Sequence, residues 1–123
     1  MMTTTPGGTT KRYCKTMDLE SDPVLVAAYR KVHGPGQVWP EITAGMREVG
    51  IVDMEIYLLG TRLFMIMETV PGFDPERDLA RLAALPRQSE WEAHVARYQR
   101  TESSATASEK WQDLERIYKM DEP

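Results

Sequence analysis

Cysteine, histidine and long apolar runs are the scarce features of this chain. Of its 123 residues only Cys14 is a cysteine, which excludes an internal disulfide and any all-cysteine metal site and suits a reducing cytoplasm. The two histidines, His33 and His94, are far apart in sequence and lack nearby cysteines or carboxylates at metal-ligand spacing, so no metal is expected. No apolar run approaches the roughly 20 residues that cross a bilayer, and the opening MMTTTPGGTTKR has no apolar signal core. A cytoplasmic location without a membrane partner is expected. Asp and Glu number 19 against 15 Lys and Arg, a formal charge of −4, and the cations are scattered rather than gathered into a stripe. That pattern argues against nucleic acid as a partner. There is no glycine-rich phosphate loop, no dinucleotide fingerprint and no serine or cysteine nucleophile motif. No bound cofactor is expected, and acid/base chemistry on a small molecule is the simplest catalysis left.

What is present has the balance of one soluble domain, with 41% hydrophobic and 28% charged residues. Residues 1–10, rich in Thr, Gly and Pro, read as a flexible tail, and residues 11–123 as a single domain. Arg12 to Leu19 alternates two unlike faces, as a strand does. Asp22-Pro23 then places an N-cap before a first helical residue. Ile51 to Leu59 sets Val52, Met54, Ile56 and Leu58 against Asp53, Glu55, Tyr57 and Leu59, and Arg62 to Val70 alternates likewise. With Gly60-Thr61 between them, the two runs predict an antiparallel hairpin. Asp74-Pro75 opens another helical region, Pro86 breaks it, and a helix from about Ser89 carries Trp91, His94, Val95 and Tyr98 on one stripe, foremost a packing stripe. Ser103 to Ser108 reads as a loop and Leu114 to Met120 as a final strand. The order β, α, β, β, α, β predicts an α+β, ferredoxin-like sandwich with helices on one face of a four-stranded antiparallel sheet. A domain this small gains stability by covering its bare sheet face, so a homodimer is expected.

Chemistry concentrates in Ala28 to Ile42, AYRKVHGPGQVWPEI. On a helix Tyr29 and His33 project from the same side, and Gly34-Pro35-Gly36 must interrupt that helix. Pro40 suits the first turn of a new one, flanked by Trp39 and Glu41. Imidazole exchanges protons near neutral pH, and Tyr and Trp offer flat apolar faces with one polar tip. The plainer alternative is that His33, at the margin of the Leu25, Tyr29, Val32 stripe, is a packed structural residue.

Tyr29-x3-His33, Val38-Trp39-Pro40-Glu41 and Ile56-Tyr57-Leu58 together resemble the L-rhamnose mutarotase family, over roughly Arg12 to Met120. The resemblance implies a cofactor-free isomerase that interconverts the α and β anomers of a 6-deoxy-L-hexose, L-rhamnose or L-fucose, within a dimeric α/β-barrel. It implies His33 as the principal proton donor, Tyr29 and Tyr57 in the pocket, and Trp39 near its wall. Mutarotation requires a proton delivered to the ring oxygen and one taken from the anomeric hydroxyl, and a group titrating near neutrality can do both in turn. Glu41 either holds a sugar hydroxyl or favours the helix N-terminus electrostatically. Trp91 is expected to shape the site, and Trp111 to be a pocket wall or a dimer contact.

The chain also departs from the family. Met54 stands where rhamnose enzymes usually carry a second tyrosine, Glu90-Trp91 replaces an adjacent Trp-Trp pair, and Lys110-Trp111 precedes the last strand. These changes bear on which sugar is used more than on the reaction. Two rivals remain: a cofactor-free oxygenase on the same scaffold, distinguished by oxygen consumption, and a sugar-binding or regulatory module that binds without turnover.

Overall fold

A computed structural model describes residues 9–101 and 105–121. Its elements are β1 (Lys11–Asp18), α1 (Pro23–Val32), α2 (Pro40–Glu48), β2 (Ile51–Leu59), β3 (Arg62–Thr69), α3 (Pro75–Ala83), α4 (Gln88–Ala96), α5 (Ala107–Lys110) and β4 (Gln112–Asp113). The strands lie in the order β2-β3-β1-β4 and every neighbouring pair is antiparallel. That is the split arrangement of a ferredoxin-like sandwich.

Local chemistry accounts for the helix starts. The Asp22 carboxylate accepts from the Val24 N–H at 2.8 Å, and Asp74 accepts from the Glu76 N–H at 3.1 Å, each just ahead of a proline. Such caps satisfy N–H groups that have no partner within the helix. The buried Asp78 carboxylate accepts from the Asp74 N–H at 2.9 Å and pairs with Arg77 and Arg81 at 2.8 Å each, which locks the first turn of α3. Alternation along the strands turns Met17, Leu19, Leu63, Met65 and Met67 toward the helices, where they meet Tyr29, Ile42, Leu82, Trp91 and Val95 in one core.

Two expectations need correction. The final strand is not Leu114 to Met120: pairing is confined to Gln112–Asp113 and one further bond from the Leu114 N–H to the Cys14 carbonyl. Beyond it Ile117, Tyr118 and Met120 are 89%, 76% and 76% exposed and lie outside the described strands. Of the loop expected from Ser103 to Ser108, residues 103–104 lie outside the described residues, and its end is instead the start of the short helix α5, opened by a capping box between Thr106 and Glu109. The tail expected at residues 1–10 lies, as far as residue 8, outside the described residues, and β1 begins at Lys11. Among the described residues no helix is long and apolar enough to cross a membrane.

Candidate active site

Between the helix-facing side of the sheet and the helical layer lies a cavity of about 390 Å³. Met54, Ile56, Met65 and Met67 form its floor, and Tyr29, His33, Trp91, Gln99 and Trp111 stand around it. The mouth of a cleft is a natural place for His33, which closes α1 as its C-cap just before the Gly34-Pro35-Gly36 break.

His33 is held at one nitrogen. Its Nδ1 lies 3.1 Å from the Tyr29 carbonyl oxygen, and a carbonyl only accepts, so the neutral ring carries its proton on Nδ1 and presents the Nε2 lone pair. The ring also stacks at a tilt on Tyr29, centroids 4.3 Å apart, and meets Trp91 edge-on at 5.6 Å. Burial pushes the His33 pKa below its ordinary 6.5; the Tyr29 carbonyl and the Glu92 charge draw it back in part, and His94 lowers it further. At neutral pH the resting state is therefore a neutral imidazole, a base. Tyr29 is 3% exposed, and burial raises its pKa far above the ordinary phenol value, so it stays protonated and can donate.

The aromatic wall is continuous. Trp39 packs edge-on against Trp91 at 5.1 Å and lies 5.4 Å from His94, while the Arg87 guanidinium covers the outer face of Trp39 at 4.1 Å. Of the residues expected from sequence, Tyr29, His33, Trp91 and Trp111 line the cavity, and Trp39 stands behind Trp91. Two do not join them. Glu41 pairs with Arg87 at 3.5 Å, half-exposed in the first turn of α2, where its charge suits the helix N-terminus. Tyr57 is 54% exposed on the sheet face away from the helices, where its hydroxyl donates to Glu55 at 3.1 Å. The alternation that turns Met54 and Ile56 inward turns Tyr57 outward, so it does not meet Tyr29 and His33 in its own chain.

Sequence reasoning missed a set of buried polar groups beside the cavity. The Lys110 ammonium, fully buried, donates to the Glu92 carboxylate at 2.7 Å and to its backbone carbonyl at 2.9 Å. Gln88 donates to the other Glu92 oxygen at 2.8 Å. Lys15, nearly buried on β1, pairs with Asp113. It also missed Gln99, for which a signal existed: Trp91, Val95 and Gln99 recur every four residues, and an amide on an otherwise apolar stripe is conspicuous.

Fold and site together define a ferredoxin-like domain with an aromatic-walled pocket that has the His33 imidazole in its lining. A model of the L-rhamnose mutarotase family matches residues 12–120. An L-fucose mutarotase of Xanthomonas campestris pathovar campestris is 38% identical over 112 residues, 91% of this chain and 90% of that protein. An L-rhamnose mutarotase of Acidiphilium cryptum is 31% identical over 97 residues, 73% of this chain and 85% of its own length. The crystal structure of an L-rhamnose mutarotase from Formosa agariphila superposes with a TM-score of 0.68 at 21% identity, covering 90% of this chain and 99% of that one. The chain belongs to the L-rhamnose mutarotase family, and with it to the carbohydrate isomerases.

Proposed function

We propose that this chain is a mutarotase of a 6-deoxy-L-hexose with L-fucose as its preferred sugar, and that His33 performs the proton transfers. The observation that carries this reading is the pinned Nδ1 of His33, which commits the opposite nitrogen to a ligand in an aromatic pocket. Neutral Nε2 takes the proton of the anomeric hydroxyl and returns it to the ring oxygen, which is bonded to the same carbon. The bond between them breaks, the open aldehyde rotates, and reversal of the steps closes the ring on its other face. Tyr29, protonated throughout, donates a hydrogen bond to the sugar. The methionine and isoleucine floor suits a methyl group where an ordinary hexose carries a hydroxyl. L-fucose is favoured over L-rhamnose by the name of the 38% identical relative and by Met54 at the place of a tyrosine usual in rhamnose enzymes.

Two copies pack sheet to sheet in this reading. Tyr57, Leu59, Phe64 and Leu114 are 54%, 74%, 36% and 43% exposed on the uncovered face, and the apolar residues beyond β4 extend from its edge. A patch of that kind is uncommon on a monomer. We place the protein in the cytoplasm on its single free cysteine.

Polarimetry of freshly dissolved L-fucose and L-rhamnose tests the reading. Rotation reaches its final value sooner with protein, most so for L-fucose. An unchanged time course for both sugars, at protein concentrations that bind them, would replace the mutarotase with a sugar-binding module.

A further inference from the structure

Gln99 sits just beyond α4, one turn past Val95, and is 3% exposed within the lining of the cavity. Its Oε1 is buried and is the one such side-chain atom without a hydrogen-bond partner among the described residues. Folded proteins seldom leave a buried acceptor unpaired, so one that faces a cavity calls for a partner there. The residue is not placed loosely. Its backbone bridges Leu19. The Glu20 N–H donates to the Tyr98 carbonyl at 3.0 Å, the Arg100 N–H to the Asp18 carbonyl at 3.0 Å, and the Gln99 N–H to the Ala96 carbonyl at 3.1 Å. The end of β1 therefore fixes where the amide points. Its side chain also bears on the Tyr29 phenol, whose pKa it draws down against the burial that raises it.

We propose that Gln99 is a sugar-binding residue whose Oε1 accepts a hydrogen bond from a non-anomeric ring hydroxyl of the substrate, and so helps to select the sugar. This rests on the mutarotase reading of the same pocket. L-fucose and L-rhamnose share their methyl group and differ in the hydroxyl orientation at the second and fourth carbons, so a rigid acceptor can tell them apart. A site built to pair a hydroxyl rejects an analogue that lacks it, because the buried partner is then stranded.

The test is steady-state anomeric exchange on L-fucose and on its analogues lacking the hydroxyl at the second, third or fourth carbon, for wild type and Gln99→Met. Methionine keeps the volume and removes the acceptor. KM for L-fucose is expected to rise roughly tenfold, the worth of about one hydrogen bond, with kcat changed less than about threefold. Variant and wild type become equal on the analogue lacking the second or the fourth hydroxyl, because that sugar has no hydroxyl left for Gln99 to hold; equality on the analogue lacking the third, which both sugars orient alike, would overturn the selective role. If the methionine variant does not fold, Gln99→Asn, whose amide falls one methylene short, gives the same pattern. An unchanged KM on L-fucose, or the same loss on all three analogues, would overturn the proposal while leaving the mutarotase intact. Absence of exchange by wild type would overturn the mutarotase reading itself and this inference with it.

Discussion

His33 is set by its burial, not by a charged partner, and the sign of its pKa shift follows. An imidazole whose charged form is penalised holds its proton less readily than one in water. The neutral ring therefore predominates at neutral pH, and with His33 as the proposed base kcat/KM is expected to be flat there and to fall on the acid side through a midpoint below 6.5. A pH profile checks this; an acid limb centred above 6.5 would show that another group carries the base. Stability has the same sign. Below 6.5 the unfolded chain binds a proton that folded His33 refuses, so stability falls as pH drops through that region and is recovered above it. His94, also lowered by burial, adds to the effect. At the Glu92 carboxylate, Lys110→Met removes a buried cation and strands its partner, with an expected loss of roughly 3–5 kcal/mol in urea denaturation. The pairing of Tyr29 and His33 was legible in the sequence because it depends only on the four-residue spacing of one helix. Gln99 was not legible as a neighbour of that pair, because long-range packing brings it there.

Elements show the same division between local and long-range causes. The β2–β3 hairpin was readable from its alternation and from Gly60, whose φ of 61° suits a tight turn. Tyr57 fits that alternation too: the pattern that makes β2 a strand places this tyrosine on the outer face. The last strand was not readable, because its length depends on a partner strand beside it, and the strand pairing observed ends at Gln112–Asp113, with one further backbone bond from Leu114 to Cys14. Gly50, between α2 and β2, is under a sharper constraint. Its φ is 101°, and an added Cβ would stand 2.9 Å from Val70 Cγ2. Gly50→Ala is expected to cost roughly 1–3 kcal/mol in the same denaturation experiment. No loss would show that the turn before β2 can relax.

At the scale of the whole molecule, the helices cover one side of the sheet and leave the other uncovered within one chain, the face on which the proposed dimer would form. Phe64→Glu, on the outer face and away from the cavity, is expected to convert a dimer to a monomer in sedimentation velocity. Wild-type protein that sediments as a monomer at all concentrations would contradict the dimer. The ferredoxin-like order of elements was legible because each element has its own pattern, whereas the cavity has no sequence pattern and arises only when sheet and helices pack. The proposed reaction leaves the bulk sugar chemically unchanged at equilibrium, so on this reading its use would be to supply one anomer to a following step faster than water does. The most direct test is saturation transfer by NMR between the α and β anomeric protons of L-fucose at equilibrium, with wild type and His33→Ala compared side by side. Wild type is expected to bring rapid exchange and His33→Ala, still folded, to slow it by roughly 10²–10⁴-fold; equal exchange in both would contradict the role assigned to His33.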